Sequence, residues 1–313
     1  MRHFVSSAIC GIVSLVLLAI GIRYVRSVWI IGTVESLQLH LSIASVAALL
    51  LALSLRRAIL PAALLAVALL FLAHSIWMPR DFAQAQITIA ATDEPLLRLV
   101  SFNILMDNID NGQVIAETIL RSGADVVNIM EAEPLMAHLP ALSVVYPYRI
   151  GCGEMTRRCD LMMLSKHPLL DPSVASLSNV FEERMLLARL DFGGRPLHVA
   201  AIHTTKPYFD NFQRYELHNA ARRLNRIAGP LILSGDFNAS SLASNVRGFL
   251  QDTGLRTAGR EPATWPVEAG PIGVPIDQIF VRPPLGIAAL QRLPDALGSN
   301  HYGLMAEIAV PTN

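Results

Sequence analysis

Leu231-Ile232-Leu233-Ser234-Gly235-Asp236-Phe237-Asn238-Ala239 is the stretch on which the reading of this chain turns. Three apolar residues suit a short buried strand, and the strand ends in Gly-Asp-x-Asn, two polar side chains that packing alone does not ask for. An aspartate at such an edge can position and deprotonate a water, and an asparagine can hold that water or a phosphoryl oxygen without adding charge. An Asx turn leading into the next helix would use the same residues with no chemistry, so the flanking sequence has to decide.

Outward from this stretch, short apolar runs alternate with helical patterns. Leu97 to Ile104, Asp125 to Met130, His198 to Ile202, Ile276 to Val281 and Leu304 to Val310 read as strands. Gln113 to Arg121 reads as a helix with Val114, Ile115, Ile119 and Leu120 at helical spacing, and a second helix carries Phe212, Tyr215, Ala220 and Leu224. The pattern is that of a layered α/β domain without an internal repeat. Asn103, Glu131, His203, Asp236, Asn238 and Asp277 each fall at or beside the end of an apolar run, so they can converge on one sheet edge.

Taken singly, these residues have bland readings. Glu131 suits a hard cation such as Mg²⁺, but a lone glutamate is more often a solvated loop residue, and the neighbouring Glu133 is an equal candidate by spacing. His203 and His301 can be satisfied packing residues or can donate to phosphate, and Asp277 can fix the tautomer of one of them.

In chain order the blocks are Ser101-Phe102-Asn103, Asp125-Val126-Val127 through Glu131, Tyr146-Pro147-Tyr148, Leu164-Ser165-Lys166-His167-Pro168, His203, Gly235-Asp236-Phe237-Asn238-Ala239, Ile276-Asp277-Gln278-Ile279 and Ser299-Asn300-His301. Together they resemble the endonuclease/exonuclease/phosphatase superfamily over roughly residues 97–310. The resemblance implies two β-sheets packed as a sandwich and flanked by helices, four layers in all. It also implies Mg²⁺ or Mn²⁺ at one edge, and hydrolysis of a phosphodiester or phosphomonoester by in-line attack of water. Carried over by motif, Glu131 binds the metal with Asn103 and Asn300 in its shell, and Asp236 orients or deprotonates the water. Asn238 and His203 contact the phosphate, and Asp277 pairs with His301, which stabilises developing charge.

Two positions depart from the superfamily pattern. Met130 stands where a glutamine is usual, which removes a hydrogen bond behind the metal ligand. Asn300 replaces the usual aspartate, keeping an oxygen donor but losing a negative charge, so metal affinity is expected to fall or metal preference to shift. These departures motivate a rival reading, a non-catalytic membrane-tethered binding module that retains the fold.

The remainder of the chain is of another kind. Of 313 residues, 52% are hydrophobic and 16% charged, a poor match to one soluble domain. Residues 1–80 hold six arginines, no lysine and one acid, Glu35, whereas 81–313 hold 19 basic and 24 acidic side chains. His3 to Arg23, Ser36 to Leu55 and Ala58 to Pro79 bound three runs free of charge, each long enough for a hydrocarbon layer of about 30 Å. They read as three spans and not as a cleaved signal peptide, because no small-x-small site follows the first run and two more runs follow it. The expected organisation is a membrane anchor over 1–80, a linker over 81–95 and the catalytic domain over 96–313.

Basic residues at the loops stand three against three and do not orient the spans. Cys152 and Cys159 lie in one short polar loop, and a disulfide there suits an oxidising compartment. The expected location is a bacterial inner membrane with the domain extracytoplasmic. A domain at net minus five with two lysines, Lys166 and Lys206, lacks the basic excess of a tight nonspecific nucleic-acid binder. Arg222, Arg223 and Arg226 read as a solvated helix face. Nucleic acid and phospholipid both stay open as substrates, and no protein partner is expected.

Overall fold

The computed structural model describes residues 1–26, 28–84, 95–208 and 210–311. The front of the chain forms α1 (Arg2–Ile22), the short α2 (Gly32–Ser36), α3 (Gln38–Leu55) and α4 (Ile59–Trp77). The three longer helices pack together through Cys10, Leu17, Leu49, Ala52 and Ala68. Leu15, Leu18, Leu50 and Leu70 point outward and are exposed. All three are long and apolar enough to cross a membrane, which explains an apolar surface that water would penalise. Residues 85–94, most of the expected linker, lie outside the described residues. Before them, Gln84 already bonds to the folded domain: its backbone N–H donates to Thr257 O at 3.0 Å, and its side chain bonds Ile287.

Among the described residues, the domain that follows holds eleven strands in two sheets. One has the order β10 (Gly286–Arg292), β11 (Leu304–Ala309), β1 (Leu96–Asn103), β2 (Val126–Met130), β4 (Leu161–Ser165) and β3 (Tyr148–Ile150). The other runs β5 (Leu170–Ala175), β6 (Met185–Asp191), β7 (Pro196–His203), β8 (Leu231–Asp236) and β9 (Asp277–Arg282). Leu97, Leu99, Met163, Val199, Ile232 and Val281 fill the space between the sheets. Outside the first sheet, α5 (Gly112–Arg121) and α6 (Leu139–Val145) pack through Ile115, Ile119 and Leu142 onto Val127 and Leu164. Outside the second, α7 (Phe212–Leu224) and α8 (Ser244–Thr253) cover Leu231, Leu233 and Phe280. The domain is the expected four-layer sandwich. The strands read at 97–104, 125–130, 198–202, 276–281 and 304–310 end within two residues of β1, β2, β7, β9 and β11, whereas β8 runs three residues past its apolar part and β3 to β6 and β10 have no counterpart among those runs.

Strand alternation explains where the site falls. Side chains of period two share one face of a sheet. On β8, Leu231 and Leu233 join the outer core while Ile232 joins the inner one, which makes Ile232, Ser234 and Asp236 the inward set. The same count gives Leu97, Leu99, Ser101 and Asn103 on β1, Val126, Asn128 and Met130 on β2, and Val199, Ala201 and His203 on β7. β9 runs antiparallel to β8 and delivers Val281, Ile279 and Asp277. Each inward row is apolar in the middle and polar at one shared rim. Midway, Asn128 Nδ2 donates to Ser234 Oγ at 2.8 Å and ties the sheets together. Met130 is fully buried among the inter-sheet residues, so the position that departs from the superfamily pattern fills core.

Candidate active site

Backbone register assembles the first part of the site. His203 on β7 is paired with Asp236 on β8, and Asp236 with Asp277 on β9, so three strand ends form one cross-sheet row. Gly235 lets the row form. Its φ is +150°, and a Cβ there would lie 1.8 Å from Ile202 O on β7. The loop after β9 and β10 adds His301. Ser299 Oγ donates to Asn103 O at 2.7 Å and accepts from His301 N at 3.0 Å, pinning that loop to the end of β1.

Two imidazoles flank Asp236. His203 Nε2 and His301 Nε2 each lie 3.9 Å from Asp236 Oδ2. Each ring is oriented from behind by a carboxylate: His301 Nδ1 sits 2.8 Å from Asp277 Oδ2, and His203 Nδ1 sits 3.2 Å from Asp160 Oδ2. Asp160, which also pairs with Arg184 Nε at 2.6 Å, went unnoticed in the sequence. Its one local signal is its place directly after Cys159. Cys152 and Cys159 are joined by a disulfide that closes the loop between β3 and β4.

Glu131 approaches from the other sheet. It follows β2 with φ +57°, a left-handed turn that takes its side chain off the strand direction. Asn103 Nδ2 donates to Glu131 Oε1 at 3.2 Å and to Asp236 Oδ2 at 3.0 Å, and Met106 N donates to Glu131 Oε2 at 2.8 Å. One amide thus bridges the two carboxylates, while its own oxygen accepts from Leu105 N. Glu133, the rival by spacing, is exposed and opens a 3-10 turn. Asn238 has φ +49°; its N–H donates to Asp236 Oδ1 at 2.7 Å and its Nδ2 to Thr204 O at 2.9 Å. Glu131, Asp236, Asn238, Asn300 and His301 all open into one cleft of about 290 Å³. Larger hollows of about 620 and 580 Å³, around Tyr146 and Arg292, hold none of these side chains.

The electrostatics follow from burial and charge. Burial and the neighbouring Asp277 push the Asp236 carboxyl above its usual value, which makes it a better proton acceptor once ionised. Burial opposes charge on His301, but Asp277 and Asp236 outweigh it and raise the imidazole to about 9. His301 therefore keeps its proton at neutral pH. For Asp160, burial favours the neutral form, yet His203 and Arg184 overcome it and hold the carboxyl at about 2. Since that value lies below the unfolded one of about 3.8, Asp160 stabilises the fold above that pH and the benefit fades as pH falls toward 2. An acid titration followed by tryptophan fluorescence should show about 2 kcal/mol lost across that window, and Asp160→Asn should remove this dependence. Equal acid midpoints for the two proteins would contradict the assigned pairing.

Carboxylates and carboxamides make an oxygen-rich, acidic donor set that suits a hard divalent cation. Among the described residues, Asp236, Asp277 and His301 offer ligand atoms within 4.8 Å of one another. In that trio His301 Nδ1 and Asp277 Oδ2 already bond each other, whereas Glu131 opens into the cleft beside the exposed Asn300, which makes Glu131 a second candidate metal position.

A two-sheet sandwich with Asp–His pairs meeting carboxylates at one rim defines a hydrolase of phosphoester bonds. The endonuclease/exonuclease/phosphatase family model matches residues 100–301, and the chain belongs to that family. No curated protein matches the chain. Among solved structures, the human Nocturnin catalytic domain with bound sulfate is 18% identical with a TM-score of 0.58, covering 74% of this chain and 98% of that one. Zebrafish (D. rerio) TDP2 humanized by 14 mutations is 17% identical with a TM-score of 0.57, over 69% and 99%. Sphingomyelinase C from Streptomyces griseocarneus is 17% identical with a TM-score of 0.51, over 68% and 99%. At these identities the likeness is one of fold.

Proposed function

We propose that this chain is a membrane-anchored phosphoesterase that uses a divalent metal, Mg²⁺ or Mn²⁺, and hydrolyses its ester by in-line attack of water. The observation that carries this reading is the row His203–Asp236–Asp277 with His301 closing it: one buried carboxylate between two imidazoles that are each oriented by a further carboxylate. Asp236 takes a proton from a water as the water oxygen bonds to phosphorus. The ester P–O bond breaks on the opposite side and the leaving oxygen collects a proton from solvent, while the His301 imidazolium, on the side of the attacking water, stabilises charge developing on the phosphoryl oxygens. His203 and Asn238 hold the non-bridging oxygens, and Asn103 keeps Glu131 and Asp236 at a fixed separation. Glu131, with Asn300 beside it, would hold the cation, which would supply Lewis acidity and neutralise phosphate charge. Asn103, expected in the metal shell, turns its Nδ2 to Glu131 and its oxygen to Leu105 N and so steadies the ligand instead.

Anchoring rests on the three apolar helices, whose odd number puts the domain opposite the N-terminus. The Cys152–Cys159 disulfide supports an oxidising, extracytoplasmic side for the domain; two free thiols there in unreduced protein from cells would remove that support.

The test is hydrolysis of a generic phosphodiester by the full chain. Chelation should abolish turnover, and Mg²⁺ or Mn²⁺ should restore it. Asn300 is exposed at the cleft, so Asn300→Asp adds a carboxylate at little cost to folding. That variant should keep or raise turnover and tighten the apparent metal constant by about tenfold. Turnover that survives chelation would overturn the metal-dependent reading.

A further inference from the structure

The cleft has a second half that the chemistry above does not use. Thr33, Ser36 and Leu37, from the segment joining α1 to α3, form one wall of the same cavity that holds Glu131, Asp236 and His301. Facing them are Pro207, Tyr208, Trp265, Val274 and Ile276 of the domain. The joining segment is fixed in place. Glu35, the one acid of residues 1–80, is buried and accepts from Ser244 N at 2.6 Å and Ser244 Oγ at 2.9 Å, capping the start of α8. Ser36 Oγ accepts from Ser240 N at 3.1 Å, and Arg23 Nη2 donates to Leu242 O at 2.9 Å. Gly32 lies so close to Pro207 that a Cβ would meet its ring at 3.0 Å.

Leu37, which lines the cleft, directly precedes α3, one of the three helices apolar enough to cross a bilayer. The His40 side chain, in the first turn of α3, lies 2.8 Å from Ile272 O. Ile272 is 74% exposed, Tyr208 and Trp265 of the facing wall are exposed, and Trp29 and Ile30 are exposed in the segment that joins α1 to α3. Aromatic rings with one apolar and one polar end favour the boundary between a bilayer and water. Among the described residues the cleft carries two cations, Lys206 and the His301 imidazolium at its catalytic end, and not the basic track that a polynucleotide would need. The cluster Arg222, Arg223 and Arg226 lies in a separate hollow with Ser176 and Asn219.

Resting on the phosphoesterase reading, we infer that the cleft takes a membrane-resident amphiphile, with its phosphoester at the Asp236–His301 end and its apolar part along the wall of Leu37, Tyr208, Trp265 and Ile276. Segment 33–37 is then a specificity-determining part of the site, and the site is incomplete without the membrane segment.

Full-length protein in dodecyl maltoside is assayed on four probes at matched phosphate concentration. These are bis(p-nitrophenyl) phosphate, a single-stranded DNA oligonucleotide, short-chain monomeric phosphatidylglycerol, and mixed micelles of long-chain phosphatidylglycerol, sphingomyelin and phosphatidic acid. Wild type is expected to prefer the long-chain micelles over the short-chain lipid by roughly tenfold or more in kcat/KM. Leu37→Asp should lower the ratio of micellar lipid to bis(p-nitrophenyl) phosphate turnover by about tenfold. The wild-type comparison stands on its own if that variant fails to fold. Cleavage of DNA or bis(p-nitrophenyl) phosphate with long-chain lipid left intact overturns the inference and spares the phosphoesterase reading. A ratio unchanged in folded Leu37→Asp overturns the role of the wall. No turnover of any probe overturns both readings.

Discussion

Asp236→Ala should eliminate metal-dependent hydrolysis and leave the domain folded. The side chain is buried, lies 3.9 Å from two imidazole nitrogens and is the one carboxylate placed to accept a proton from water between them. General-base catalysis and the positioning that goes with it are worth roughly a thousandfold to ten-thousandfold, so kcat on a soluble diester should fall by at least about that much. Stability should change far less. Burying a charge beside Asp277 is costly, as the upward push on the Asp236 carboxyl shows, and truncation relieves that cost. Against this, Asn103 Nδ2 and Asn238 N each lose an acceptor, although Asn103 keeps Glu131. Near-UV circular dichroism should match wild type while turnover vanishes. Wild-type turnover by the folded variant would remove the proposed mechanism.

Gly235→Ala, one residue away, should have the opposite profile and abolish the fold along with the activity. A methyl group would sit 1.8 Å from Ile202 O and 2.8 Å from its carbonyl carbon, both backbone atoms of a central strand that cannot rotate aside. The φ of +150° adds strain for any residue with a Cβ. β7 and β8 would have to separate, and with them the pairing of His203 and Asp236 that builds the site. A cost above about 4 kcal/mol is expected, enough to remove most of the stability of a typical domain. Soluble yield and thermal unfolding in detergent measure it. Gly248→Ala is the control: it lies inside α8 with no atom within 4 Å of the added methyl, and it should gain roughly 0.5–1 kcal/mol from helix propensity. Equal thermal midpoints for the two variants would show that the close approach at Gly235 is not what limits the fold.

The two outcomes separate chemistry from architecture within the same strand end. Asp236 is expected to be dispensable for the fold and required for the reaction. Gly235 is not among the residues that line the cleft, yet it sets the distance between the strands that carry His203 and Asp236.

Six of the eleven strands described, the helices α5 and α7 and the apolar front were legible in the chain, because each is written in neighbouring residues: period two for a strand with one outer and one inner face, period 3.6 for a helix, unbroken apolar runs for a span. β3 to β6, β10, α6 and α8 were not. Gly235-Asp236-Phe237-Asn238 was legible for the same reason, as polar residues closing an apolar run. Spacing could not choose between Glu131 and Glu133, since the choice rests on a left-handed turn at Glu131 that carries its side chain to Asn103. Nor could it find Asp160 behind His203, which is 43 residues away, or Glu35 capping α8 across 209 residues. Those pairings depend on strand register and on how the front helices seat against the domain. Packing of surfaces far apart in the chain decides both, and no local pattern records it. The sequence alone determined that three runs apolar enough to span a membrane and a sandwich of the phosphoesterase family share this chain; only the tertiary structure decided that the segment between the first two long helices is a wall of the cleft.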